Sequence, residues 1–126
     1  MIQLGAAFKS TEYPYHRCVI LSDPQANGGQ VVLVRITTDD STWPDRDCLC
    51  GPADWSELDH ASTVAYSTAK CGPAVKSLVA AVNSGLFTVI SPPPSALLKR
   101  IIAGARTAKG MPPLAQRWLA DETKIT

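Results

Sequence analysis

Three observations predict a mainly β domain, a small barrel or curved sheet that carries helices at its C-terminal end. Short apolar runs bounded by Gly, Pro and Asp occupy the chain as far as Ile90, which is the pattern of strands. Two of these runs, Arg17–Ser22 (RCVILS) and Gln30–Thr37 (QVVLVRIT), are joined by a polar connection containing Asp-Pro and Asn-Gly-Gly. Beyond Pro92, Pro93 and Pro94 the apolar residues change to helical spacing. Strands first and helices last make a sheet covered by terminal helices.

Ile2–Phe8 (IQLGAAF) reads as an opening strand and Glu12–Tyr15 as loop. In the second strand of the hairpin, Val31 and Leu33 fall on one face and Val32, Val34 and Ile36 on the other. A strand apolar on both faces belongs at the centre of its sheet. Antiparallel pairing then brings His16 and Arg17, at the start of the first strand, beside Arg35, Thr37 and Thr38 at the end of the second. Asp39–Arg46 (DDSTWPDR) reads as an exposed loop next to these strand ends. Trp43 within it is a half-buried anchor, a lid over a groove, or a stacking platform for a base. Asp47–Cys50 reads as a short strand, Gly51–Glu57 as a break and Ser62–Tyr66 (STVAY) as an alternating strand, with Ser67–Pro73 a turn or strand remnant. Val75, Leu78, Val79 and Val82 predict a helix over 74–83, ended by Gly85. Leu86–Ile90 is a further apolar strand. Ser95 stands where an N-cap belongs. Leu97, Leu98, Ile101, Ile102 and Ala105 then form a helical stripe, with Lys99, Arg100 and Arg106 outward and Gly110 and Pro112 closing the helix. A last helix runs over Pro113–Asp121.

The 126 residues make one domain, 1–126, with the C-terminal helices starting at about 95. An apolar fraction of 45% and a charged fraction of 18% are those of a soluble globular protein. No apolar run approaches a membrane span, and the N-terminus lacks the plan of a secretory signal, so the expected location is the cytoplasm and no membrane partner is expected. Four cysteines do not make a disulfide framework in a chain of this length. Cys18 falls inside an apolar strand, and Cys48 and Cys50 point to one face if their segment is extended. His60 and Cys71 can in principle complete a zinc site with them, but the spacing matches no standard zinc pattern. Structural thiols, no metal and no cofactor are the expectation. The net charge of +1 hides an asymmetry: residues 1–94 carry six Lys or Arg against nine Asp or Glu, and residues 95–126 six against two. A basic C-terminal segment attracts nucleic acid or an acidic partner, although charge of this size is commonly a solvated helix face.

The chain has no phosphate-cradling glycine loop, nucleophile elbow or metal-ligating helix motif. Its chemistry lies in the polar residues near the central strands. Arg17 and Arg35 are fixed cations able to hold a phosphate bidentately. Thr37 and Thr38 supply hydroxyls, and His16 and His60, the only imidazoles, exchange protons near neutral pH. Such a set suffices for attack by a ribose 2′-hydroxyl on its own phosphate, which needs proton transfer and charge stabilisation but no external nucleophile. Each residue also has an ordinary structural explanation. Arg at a strand end commonly forms an ion pair, Thr is a good β-former, and a lone His is commonly structural.

The run Arg17-Cys-Val-Ile-Leu-Ser-Asp, a Gly-containing loop and Val31-Val-Leu-Val-Arg-Ile-Thr37-Thr resembles the core of the MazF/PemK toxin family. That family carries an Arg-Pro-Val-Val-Ile pattern on one strand and a Val-Ile-Val…Ile-Thr pattern on the next; here Cys18 replaces the Pro. Ser62-Thr-Val-Ala-Tyr is similar to the family's later Ser-x-Val strand, and the segment from Leu86 into the Leu/Ile-rich helix stands where its terminal helix does. The resemblance covers roughly residues 16–108. It implies an SH3-like barrel with helices, a homodimer, and a ribosome-independent endoribonuclease neutralised by an antitoxin protein. It also implies that Arg17 and Thr37 stabilise the scissile phosphate and assist proton transfer. His16 and the Asp59-His60 pair resemble a divergent branch with a His-Arg start and an Asp-His before the Ser-x-Val strand, and serve as acid and base candidates. Arg35, Thr38, Trp43 and Ser62 are the candidate contacts to single-stranded RNA. The alternative is the same barrel kept as a non-catalytic protein- or nucleic-acid-binding module. The nuclease reading requires the Arg17 guanidinium and the Thr37 hydroxyl to meet at one solvent-open hollow; the two on opposite walls of the molecule, or both sealed under packed atoms, would end it.

Overall fold

The computed structural model describes residues 2–126. Six strands, β1 (Ala7–Ser10), β2 (Arg17–Ile20), β3 (Gln30–Thr38), β4 (Leu49–Cys50), β5 (Ser62–Ala74) and β6 (Phe87–Ile90), form one antiparallel sheet in the order β4-β5-β3-β2-β1-β6. The sheet curls into half a barrel. β4 and β6 do not pair with each other, so it keeps two edges. Helices α1 (Val75–Asn83), α2 (Ser95–Thr107) and α3 (Pro113–Trp118) complete a mixed α/β domain, two of the three lying near the C-terminus. No helix among the described residues is long and apolar enough to cross a membrane.

The predicted hairpin is β2 against β3, with Arg17 opposite Ile36 and Val19 opposite Val34. β3 sits between β2 and β5, and the two faces read from its sequence enter two separate cores. Val32, Val34 and Ile36 join Val19, Val64 and Tyr66 under the α2 stripe of Leu97, Leu98, Ile101, Ile102 and Ala105, every one of which is buried. A fully buried Leu or Ile contributes roughly 2 kcal/mol, so this stripe is the main anchor of α2. Val31 and Leu33 face the other way, with Phe8, Ile20, Phe87 and the α1 residues Val75, Leu78 and Val82. That second face is covered by α1 at one end only.

Several elements differ from expectation. The opening strand is confined to Ala7–Ser10. β5 runs on through the segment expected to turn: Val34 alone stands opposite the whole Tyr66–Ala69 stretch, and this wide bulge bends the strand so that its second half pairs with the start of β3. Pro73 is tolerated because it lies where the ladder is already irregular. The bend is braced by Asp45. Its carboxylate accepts from the Ser67 N–H at 3.1 Å and the Ser67 hydroxyl at 2.5 Å, and its carbonyl accepts from the Thr63 hydroxyl at 2.7 Å. Gly110 lies so close that a Cβ there would fall 3.0 Å from Ser67 Cβ. Ser95 does not cap α2. It is already the first helical residue, following Pro94, and its hydroxyl donates to the Thr126 carbonyl at 2.7 Å. The last helix stops at Trp118, and Leu119 instead bridges to Ser22.

All four cysteines are free, with Cys48 and Cys50 sharing the core under α2. Burial first of all pushes the thiol pKa of Cys18 up to about 11 and that of Cys50 up to about 12. The basic C-terminal segment is partly neutralised: Arg100 pairs with Asp54 at 2.9 Å and Arg106 with Glu122 at 2.6 Å.

Candidate functional site

Antiparallel pairing sets Arg17 at the first position of β2 beside the last residues of β3, and β5 begins alongside them with Ser62 opposite Thr38. The loop after β1 and the segment before β5 close over this end of the sheet. Together they enclose a hollow of about 200 Å³ lined by Tyr13, Pro14, Tyr15, His16, Arg17, Ile36, Thr37, Thr38, Leu58, His60 and Ser62. Five further expectations therefore meet Arg17 in one place: His16, Thr37, Thr38, His60 and Ser62.

Register decides which hydroxyl faces which base. Arg17 pairs with Ile36, so its side chain leaves the sheet on the same face as Ile36 and Thr38, while Thr37 alternates to the face of Arg35. Both threonines line the hollow, but the one joined to an imidazole is Thr38. Its Oγ1 lies 2.7 Å from His60 Nε2, and the Asp59 carboxylate meets His60 Nδ1. The chain Asp59–His60–Thr38 thus has the form of a carboxylate orienting an imidazole whose other nitrogen meets a hydroxyl. His60 is 46% exposed in its side chain and Asp59 72%, so the arrangement is open to solvent.

Arg17 belongs to the same electrostatic unit. Desolvation raises the Asp59 pKa, but the charges of His60 and Arg17, with hydrogen bonds to the carboxyl, together outweigh it and hold it below its usual range. The Arg17 Nε is buried and makes no hydrogen bond among the described residues. The pKa of His16 is lowered. Burial and then the Arg35 guanidinium lower its pKa, against an opposing hydrogen bond with the Ile36 backbone, so the ring stays neutral near neutral pH.

Arg35 lines a different surface. It lies in a groove of about 620 Å³ on the half-covered face of the sheet, with Cys18, Leu33, Lys70 and Phe87. Pro14 and His16 line both this groove and the hollow, so the two adjoin. Trp43 is half-buried in the 39–48 loop and lines neither, which fits the anchor among its three readings. In that loop, Asp39 is held below the usual carboxylate range by its hydrogen bond from Arg46 at 2.7 Å. Among the described residues, no three His, Cys, Asp or Glu side chains come together as a metal site would require.

Sequence reasoning passed over Tyr13 and Tyr15, because exposed aromatics in a short polar loop carry no periodic signal. Of the two threonines it put Thr37 forward as the catalytic candidate, while the hydroxyl that meets an imidazole is that of Thr38. No family model, curated protein or solved structure matches this chain.

Proposed function

We propose that this chain is an endoribonuclease of the MazF/PemK kind, the toxin of a type II toxin–antitoxin pair, and that its half-barrel is the SH3-like barrel of that family. Its substrate is single-stranded RNA, its partners an antitoxin protein and a second copy of itself. The observation that carries the reading is the convergence of Arg17 with the Asp59–His60–Thr38 chain at one solvent-open hollow.

The chemistry follows from what each group can do. The 2′-hydroxyl of a bound nucleotide attacks the adjacent phosphorus, its proton passing to a neutral imidazole. His16 suits that step, since burial and Arg35 keep it unprotonated. Negative charge that builds on the non-bridging oxygens is met by the Arg17 guanidinium, with the Thr38 hydroxyl as a further donor. The bond from phosphorus to the 5′-oxygen breaks, and His60, oriented by Asp59, hands that oxygen a proton from Nε2. The products are a 2′,3′-cyclic phosphate and a 5′-hydroxyl, and water enters only if the cycle is later opened.

The test is cleavage of a single-stranded RNA by purified protein in the presence of EDTA, with the new ends identified by mass. Arg17→Ala should lower kcat/KM by about 10²–10³ without changing the unfolding midpoint, and His60→Ala by about 10²–10⁴. RNA left intact by well-folded protein at high concentration sinks the reading.

A further inference from the structure

The mouth of the hollow carries two tyrosines that the phosphodiester chemistry does not use. Tyr13 is 85% exposed and Tyr15 47%, and both line the hollow together with Arg17. Their rings meet edge to face, with centroids 5.9 Å apart and planes at 89°. Such a contact uses one face of one ring and the edge of the other, and the exposure of the pair leaves aromatic surface open to solvent.

The loop that carries them is fixed at both ends. At its base the Ser10 N–H donates to the His16 carbonyl at 2.9 Å, and within it the Tyr15 N–H donates to the Glu12 carbonyl at 2.8 Å. On its flank the Thr11 hydroxyl donates to the Gly85 carbonyl at 2.7 Å and to the Leu86 carbonyl at 3.0 Å. Tyr15 itself sits in the left-handed region at φ 59°, where a bulky side chain is an outlier. Residues held in that region cluster at ligand-binding sites. The aromatic pair is therefore set rigidly beside the guanidinium.

We propose that Tyr13 and Tyr15 form a stacking platform for an unpaired nucleobase adjoining the phosphate held by Arg17, a proposal that rests on the nuclease reading for that phosphate site. Aromatic faces accept any base that is not already stacked in a duplex, which selects single strands, loops and ends. A ring beside a cation matches the alternation of base and phosphate along one strand. A purely apolar partner would instead cover Arg17, His16 and His60 without satisfying them.

The experiment measures binding of a short fluorescein-labelled 2′-O-methyl oligoribonucleotide, which cannot be cleaved, beside an abasic strand of the same length. Tyr13→Leu keeps apolar bulk without a π face, and Tyr15→Asn suits the left-handed backbone. Each should weaken oligoribonucleotide binding about ten-fold, while Tyr13→Phe stays near wild type. The abasic strand should bind weakly and alike to all four proteins. Equal affinity of the wild type and both stacking variants for the oligoribonucleotide overturns the platform; RNA cleavage by those proteins would leave the nuclease reading standing. Binding that depends on the tyrosines, in protein that cleaves no RNA, supports the platform and overturns the nuclease. No binding by the wild type overturns the platform outright.

Discussion

Gly104→Ala should destabilise the protein, against the rule for helix interiors. In mid-helix, Ala is normally favoured over Gly by about 1 kcal/mol. Here a Cβ on Gly104 falls 2.5 Å from the Tyr66 hydroxyl and 3.2 Å from its Cζ. Tyr66 cannot simply swing aside, because it is fully buried and its hydroxyl donates to the Ile101 carbonyl at 2.7 Å. Overpacking of this kind costs about 1–3 kcal/mol, and a strained or lost hydrogen bond adds about 1 kcal/mol. After the helix-propensity gain is subtracted, the net loss is about 2 kcal/mol, or about 8 °C in Tm for a chain of this size. Tyr66→Phe alone should cost about 1 kcal/mol through the hydrogen bond. Combined with Gly104→Ala, it removes the atom that clashes, so the double variant should return to within about 1 kcal/mol of wild type. The resulting coupling of roughly 2 kcal/mol is what a double-mutant cycle reads. Urea titrations of the four proteins measure it, given equal m-values. A rise in midpoint for Gly104→Ala, or effects that simply add, would refute the packing argument.

Two more outcomes are expected. The His16 pKa is lowered on folding from 6.5, so the unfolded chain binds more protons between the two values; this stabilisation is complete above the unfolded pKa and is lost as pH falls through the folded one. Melting curves between about pH 7 and pH 5 should fall less steeply for His16→Gln than for wild type, and identical slopes would contradict it. Asp45→Ala removes the carboxylate that holds Ser67, and should cost about 3 kcal/mol by urea unfolding, with Asp45→Asn intermediate; a loss below about 0.5 kcal/mol would mean the β5 bend stands without it.

Where the sequence was legible, a period could be counted. Val31 to Ile36 spells a strand buried on both faces, and Leu97 to Ala105 a helix with one buried stripe; both are found in the cores they imply. The junction of β2 and β3 was legible because antiparallel pairing leaves little choice about which ends meet. What lacked a local signal was misread. The bend of β5 is braced by Asp45, which is remote in sequence from Ser67, and the Ser95 hydroxyl, which a local reading leaves free to cap, is taken up by the Thr126 carbonyl. Register is the subtlest case. A hairpin reading brings the 37–38 pair near Arg17, but only the Arg17–Ile36 pairing puts Thr38 on the arginine's face. The basic character of the last segment was legible as a sum, yet Arg100 and Arg106 spend their charge on Asp54 and Glu122.

The half-covered face of the sheet has a mechanical consequence. β6 is an edge strand tied to β1, and the α1–β6 turn at Gly85 and Leu86 also holds the Thr11 hydroxyl. Should α1 and β6 peel away from β1 in a partial opening, the tyrosine-bearing loop loses its flank and goes with them. β3, clamped between neighbours and buried on both sides, stays behind with Thr38. Such an opening would strip the hollow of its tyrosine wall and leave the β3 wall in place, so the platform holds only as long as the α1–β6 turn stays docked on Thr11.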